Sequence, residues 1–367
     1  MFYNQQTHGK KTVSADDLKG YGADEFSKVK KGDHYEINLQ FPVYIDLMTY
    51  ADSSDLREEV YKAYISRASD VGITSNEYDN RLVMDEILKL RSEMSELVGF
   101  ANYAEYSTQS KMVESPDAVI DFLNSLIELS TPQAKTELSD LESFAGRPLM
   151  PWDLMYYSEK LKQKTFSFKS SDLKPYFPES SVFDGLFKTI QNLYNIKLTE
   201  IHEDTYHQDV RVIKLEDDNG VIGRIYLDVY ARGNKRGGAW MSDYQGLYKE
   251  SLPVAFVVCN LNSPSEGKPA LFDFDEIVTI FHEFGHALHH LLTKVTFPCA
   301  AGISGVPWDG VELPSQYMEN FCYEREVVDV ISGHWETGEK LPDVLFKKVI
   351  ESKNFQSGLQ MLRQCEF

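Results

Sequence analysis

The spacing of apolar residues predicts a chain made mainly of helices. Apolar and polar residues alternate over 35–41, which predicts a short strand that ends at Pro42. After this strand, apolar residues recur at every third or fourth position as far as about residue 200, as they do along one face of a helix.

Four helix starts are predicted in this first half, and a serine is placed to cap the first and the third of them. The second of these helices covers about 76–98, and Gly99 is placed to end it. The residues that begin the four helices are Ser53 or Ser54, Asn76, Ser115-Pro116 and Thr131-Pro132.

The pattern changes after about residue 201. Residues 209–215 and 221–230 predict two strands joined by a turn at 217–220, and 253–259 predicts a third, more apolar strand. Helical spacing resumes at Phe272 and continues to the end, with a glycine-rich break at 301–310. We therefore expect a mainly α fold with a small β-sheet next to the helix that follows Phe272.

These changes of pattern divide the chain into three parts. Residues 1–34 are polar, charged and interrupted by glycine, and we interpret them as a polar lead-in. Residues 35–200 form a predicted helical domain, and 201–367 a second domain that carries the candidate chemistry. The last predicted helix, 354–367, ends without a capping residue or a polar tail, so we expect the natural polypeptide to continue beyond Phe367.

Composition restricts the class of protein. The formal net charge of −20 disfavours binding to nucleic acid or to an anionic membrane surface, because both require a basic footprint. Four cysteines without a CxxC pair indicate a reducing compartment. The longest apolar run, 252–261, is about half of what a membrane helix needs. We expect a cytoplasmic protein that is a monomer.

The candidate chemistry lies in the HExxH sequence at 282–286. On a helix His282 and His286 lie one turn apart, about 40° around the axis, so both imidazoles can reach one zinc ion. Glu283 lies about 100° around the axis. It is placed to act as the general base on a zinc-bound water that attacks a peptide carbonyl.

Two residues compete for the role of third zinc ligand. Glu312 lies at the start of the next predicted helix, which runs to about Val330, and can approach from the open side while leaving the fourth position for water. His289 shares a face with His286 but lies about 10 Å along the axis from His282. We favour Glu312, and we expect His289 to orient other groups or to pack.

Two neighbouring segments are candidates for substrate contacts. The strand 253–260 could offer a free backbone edge to an extended peptide, or it could be an ordinary buried strand. The glycines of 301–310 would allow a hinge-like motion over a substrate, and a plain connector explains the same spacing almost as well.

Several motifs together resemble the thimet oligopeptidase and neurolysin family of zinc metallopeptidases. The similarity covers most of the chain from about Tyr35. The segments that carry it are 48–52 (MTYAD), 151–160 (PWDLMYYSEK), 236–240 (RGGAW), 281–290 (FHEFGHALHH) and 305–316 (GVPWDGVELPSQ).

The resemblance implies a zincin-like, helical metallopeptidase of two domains, with residues 35–200 lining a channel that admits short unfolded peptides. It also implies one Zn²⁺ held by His282, His286 and Glu312, with Glu283 as general base. Members of this family have further helices before the part that matches Tyr35. They also continue past the part that matches Phe367, where a histidine and tyrosines stabilise the oxyanion. An alternative function is therefore a zinc-containing fragment that binds peptides without turnover.

Overall fold

The computed structural model describes residues 11–21, 29–72, 78–167, 169, 172–232, 235–264 and 267–367. Contacts divide these residues into two compact units. One comprises the described residues within 1–109, 113–167 and 354–367, and the other those within 110–112 and 168–353. The sequence placed the division at 200/201 and assigned the last helix to the second domain, so the units of the structure differ from the predicted domains at both points.

The first unit combines a three-stranded antiparallel sheet with helices. Its strands are β1 (Lys11–Val13), β2 (Lys30–Lys31) and β3 (His34–Ile37), in the order β1-β3-β2. Its helices are α1 (Phe41–Tyr50), α2 (Ser54–Ile65), α3 (Arg81–Leu97), α4 (Tyr103–Thr108), α5 (Pro116–Ala145) and α6 (Leu154–Phe166), together with the last helix, α12 (Ser357–Glu366).

The described part of the predicted lead-in is folded. β1 and β2 both pair with β3, and the side chains of Val13, Leu18 and Val29 are buried in the same apolar cluster as those of α1. Strands of two or three residues are too short to show a periodicity, which explains why composition alone predicted a polar lead-in here.

Local signals placed several helix ends correctly. The hydroxyl of Ser53 accepts a hydrogen bond from the Leu56 N–H at the start of α2, and Ser115 caps α5 in the same way. Gly99 follows α3 with a φ of +89°, a conformation that glycine adopts without strain. Of the predicted helix over 76–98, residues 76 and 77 lie outside the described residues.

The predicted helix start at Thr131-Pro132 is wrong, because α5 runs through it with Pro132 inside. A proline in a helix interior removes one backbone hydrogen bond. Here packing compensates for that loss. Ala134 and Leu141 are buried, and α12 lies so close that a Cβ on Gly358 would be 2.8 Å from the Ala134 nitrogen.

The second unit is built on a five-stranded mixed sheet. Its strands are β4 (Lys197–Ile201), β5 (Arg211–Asp217), β6 (Gly220–Tyr230), β7 (Trp240–Gln245) and β8 (Val254–Leu261), in the order β4-β5-β6-β8-β7. Only the β6–β8 pair is parallel. β5, β6 and β8 confirm the three predicted strands, whereas β4 and β7 had not been predicted.

The second unit also contains α-helices. They are α7 (Glu179–Tyr194), α8 (Phe274–Leu291), α9 (Leu313–Glu319), α10 (Arg325–Ile331) and α11 (Asp343–Ser352). The helix predicted from Glu312 to about Val330 is divided into α9, a 3₁₀ turn at Asn320–Tyr323 and α10, because Glu324 adopts an extended backbone conformation. The expectation of a mainly α fold with a small sheet beside the HExxH helix is confirmed.

None of the helices in the described part of the chain combines the length and the apolar character that a membrane crossing requires.

Candidate metal centre

The HExxH residues lie on α8, which local sequence and burial both stabilise. Asp273 and Glu276 form a capping box at its start, each side chain accepting a hydrogen bond from the other residue's backbone N–H. The helix packs one face against β6, β7 and β8. The fully buried side chains include Ile277, Ile280, Phe281 and Phe284.

Three of the predicted site residues converge on one point. The Oε2 atom of Glu312 lies 3.1 Å from Nε2 of His282 and 3.0 Å from Nε2 of His286. Among the described residues, these three form the one group whose histidine, cysteine or carboxylate ligand atoms all lie within 4.8 Å of one another.

The spacing and chemistry of these atoms fit a zinc ion. Zinc bonds of about 2.0–2.1 Å in a tetrahedral arrangement place neighbouring ligand atoms about 3.3 Å apart. The distances to Glu312 are close to this value. Two imidazole nitrogens and one carboxylate oxygen are a ligand set that zinc prefers at catalytic sites, where three protein ligands leave a fourth position open.

Glu312 reaches the histidines because α8 and α9 pack at very short distance. A Cβ on Gly285 would lie 2.5 Å from the Cα of Ser315 and 2.6 Å from the Pro314 carbonyl oxygen. The absence of a side chain at this position therefore allows the backbone of α9 to contact α8 directly. The hydroxyl of Ser315 then donates a 2.8 Å hydrogen bond to Oε2 of Glu312, the same oxygen that faces both histidines.

A second carboxylate contacts the other side of the His282 ring. Oε1 of Glu319, at the end of α9, lies 2.6 Å from His282 Nδ1. Sequence reasoning did not select Glu319 or Ser315. The available signal was their spacing, because residues three and seven positions after Glu312 share its face of a helix.

Glu283 is buried beside the group of three. Its side chain is 5% exposed, and its Oε2 atom has no hydrogen-bond partner among the described residues. Burial raises the pKa of its carboxyl to about 7. His282 and the Met241 backbone N–H lower this pKa, and Glu312 raises it further. A carboxyl with such a pKa can exchange a proton near neutral pH.

His289 and His290 lie outside the convergent group. His289 borders a cavity of about 540 Å³ between α8 and the loop before α9, and burial lowers the pKa of its imidazole. His290 is fully buried, and its Nε2 lies 2.9 Å from the Gln245 carbonyl oxygen. Neither ring is in the group around Glu312. Of the two candidates for third ligand, Glu312 lies against the two histidines of the motif and His289 does not.

The strand proposed to offer its edge to a peptide is an interior strand. β8 pairs with β6 on one side and with β7 on the other. The edge of the sheet next to α8 is formed by β7, whose residues from Ser242 to Gln245 are exposed. β7 also borders the site, because the backbone of its Met241 lies near enough to Glu283 to lower the pKa of that carboxyl.

Known proteins resemble this chain over most of its length. The pattern of Peptidase family M3 matches residues 47–367. The chain belongs to this family. It is 48% identical over 353 residues to oligopeptidase A of Escherichia coli, covering 93% of this chain and 52% of that protein. It is also 40% identical over 352 residues to a probable cytosolic oligopeptidase A of Arabidopsis thaliana, covering 90% of this chain and 49% of that one.

A relative named for a different activity is less similar. Dipeptidyl carboxypeptidase of Escherichia coli is 32% identical over 315 residues, covering 83% of this chain and 46% of that protein. The family M3 assignment confirms the resemblance found in the sequence motifs. The chain spans about half the length of the curated relatives it matches.

Proposed function

We propose that this chain holds one zinc ion with His282, His286 and Glu312 and that it hydrolyses short peptides with Glu283 as general base. One observation carries the proposal. A single carboxylate oxygen of Glu312 lies within 3.1 Å of the Nε2 atoms of both motif histidines. Membership of Peptidase family M3 supports the reaction class.

A zinc ion bound there supplies Lewis acidity, which lowers the pKa of water and polarises a peptide carbonyl. Glu283 takes a proton from the water that attacks the carbonyl carbon and then delivers it to the amine nitrogen as the C–N bond breaks. Glu283 is buried, so bulk water has little access to its carboxylate. The carboxylate therefore stays available to the water that attacks the peptide.

The substrate class follows from two further observations. The curated relatives are named as oligopeptidases and as a dipeptidyl carboxypeptidase, which supports short peptides as substrates. β7 is the edge strand of the sheet beside the site and is exposed over residues 242–245, and an extended peptide can add to an edge strand by backbone hydrogen bonds.

The test is Glu283→Gln, which keeps the size of the side chain and removes its basicity. The parent is expected to bind about one zinc per chain and to cleave a quenched fluorescent peptide, whereas the variant keeps zinc and loses cleavage by at least about 100-fold. Glu326→Gln, at an exposed position of α10, serves as the matched control. Cleavage by Glu283→Gln at the parent rate would overturn the assignment of the base.

A second candidate function is zinc-dependent peptide binding without turnover. It needs only the group of His282, His286 and Glu312 and a surface for the peptide, without proton transfer by Glu283. This function predicts that an uncleaved peptide binds the parent in the presence of zinc, with no product formed. Cleavage by the parent alone would exclude it.

The remaining expectations about partners and location also stay predictions. They are a monomeric state, a cytoplasmic location and the absence of nucleic-acid or membrane binding. The acidic net charge of −20 supports the last of these.

A further inference from the structure

Glu319 contacts His282 on the side of the ring that faces away from Glu312. Its Oε1 atom lies 2.6 Å from Nδ1, while Nε2 of the same ring lies 3.1 Å from Glu312 Oε2. Because a carboxylate oxygen accepts hydrogen bonds, this contact favours the tautomer of His282 that carries its proton on Nδ1. The lone pair of Nε2 is then free and directed at the candidate metal position.

We infer that Glu319 is a positioning residue, one that selects the His282 tautomer able to bind zinc and holds its ring in place. The inference rests on the proposed function. Carboxylates that accept from the outer nitrogen of a metal-binding histidine increase its basicity as a ligand, and removing them typically weakens metal binding by 10–100-fold.

The geometry separates this role from that of a fourth ligand. A ligand atom would have to lie on the Nε2 side, where the group of His282, His286 and Glu312 converges, and Glu319 is not in that group. A single short helix therefore supplies both kinds of carboxylate. α9 begins next to Glu312 and ends at Glu319. About two helical turns therefore separate the candidate ligand Glu312 from Glu319, which orients the candidate ligand His282.

His282 is held from two directions, whereas His286 is not. Nδ1 of His286 is buried and has no hydrogen-bond partner among the described residues. The orienting interaction is thus specific to His282. Removing the Glu319 carboxylate should weaken the bond from His282 to the metal without affecting the bond from His286.

The first measurement is zinc affinity, obtained by competition with a chromophoric chelator. Glu319→Ala is expected to weaken zinc binding by about 10–100-fold, and Glu319→Gln by less because the amide oxygen can still accept from Nδ1. Glu326→Gln, which removes an exposed charge from the neighbouring helix, is expected to bind zinc like the parent.

The second measurement reports the tautomer of His282 and requires no metal. It would not change if Glu319 only stabilised the fold. ¹⁵N NMR of zinc-free protein with labelled histidine, at a pH where imidazole is neutral, is expected to show His282 protonated on Nδ1 in the parent. In Glu319→Ala the population should shift towards protonation on Nε2.

The outcomes distinguish this inference from the proposed function. Equal zinc affinity of the parent and Glu319→Ala, or an Nε2-protonated His282 in the parent, would overturn only the role of Glu319. A parent chain that binds no zinc would overturn both. Weakened zinc binding with an unchanged thermal midpoint of the zinc-free variant would support the inference.

Discussion

Gly285 and Ser315 lie so close together that no side chain fits between their helices. A Cβ on Gly285 would be 2.5 Å from the Cα of Ser315, and real Cβ atoms essentially never come that close to another heavy atom. The glycine of the HExxH segment is therefore part of the site's geometry. It allows α9 to present Glu312 to the histidines of α8.

Gly285→Ala should consequently disturb both stability and zinc binding. The added methyl group must push α9 away from α8, and overpacking of this kind typically costs about 1–3 kcal/mol of unfolding free energy. The displacement would also move Glu312, so zinc affinity should fall by at least about 10-fold. Urea unfolding and chelator competition measure the two effects.

Gly237→Ala is the matched control, because a Cβ at that position meets no atom within 4 Å. It should leave both quantities near the parent values. If Gly285→Ala also bound zinc like the parent, the close packing of the two helices would not be what positions Glu312.

Asp228 should be essential for the stability of the second unit. Its carboxylate is 2% exposed and accepts hydrogen bonds from Arg232, Lys235 and the Tyr206 hydroxyl. Asp228→Asn would leave the buried Lys235 ammonium without its counter-ion, and breaking a buried pair typically costs about 3–5 kcal/mol. The measurement is urea unfolding, with exposed Asp218→Asn as the control. A loss below about 1 kcal/mol would contradict this prediction.

The same carboxyl predicts acid sensitivity. Burial raises the pKa of Asp228, but the hydrogen bonds from Arg232, Lys235 and Tyr206 outweigh this effect and lower the pKa to about 2. An unfolded aspartate has a pKa of about 3.9. The unfolded state therefore binds a proton first, so the contribution of Asp228 is fully present above about pH 4 and is lost as the pH falls towards 2.

Unfolding free energies between pH 5 and pH 2 would show this loss in the parent. In Asp228→Asn the same pH series should be less steep, because the titrating group is absent. Parallel curves for parent and variant would show that the low pKa of Asp228 does not contribute to acid sensitivity.

Glu137 anchors the start of the last helix. Its side chain accepts hydrogen bonds from the backbone N–H groups of Gly358 (3.2 Å) and Leu359 (2.8 Å), which α12 itself cannot satisfy at its first turn. Glu137→Ala should cost about 1 kcal/mol, as removal of a helix cap does. Hydrogen exchange at these two amides should accelerate, whereas Glu128→Ala, at an exposed position of α5, should change neither amide.

Most of the motif chemistry could be read from spacing. His282 and His286 lie one turn apart on a capped, amphipathic helix, and both the cap and the apolar stripe of α8 are local features that a sequence displays directly. The strands β5 and β6 could be predicted for the same reason. Their apolar runs flank a turn in which Asp217 accepts from the Asn219 N–H and Gly220 has a φ of +125°.

Other features depended on contacts between residues far apart in the chain. Pro132 predicted a helix start by local rules, but packing of α12 against α5 keeps the helix continuous. β8 had the composition of either an edge or an interior strand, and only its pairing with both β6 and β7 decided between them.

The same distinction applies within the site. The sequence alone was sufficient to select His282, Glu283 and His286 and to favour Glu312, because ligand type and helical spacing are local properties. The convergence of Glu312 on both histidines, the hydrogen bond from Ser315 and the contact of Glu319 with His282 needed the packing of α8 against α9. Such packing depends on which surfaces fit at a glycine, and that fit is a property of two segments in space rather than of either one along the chain.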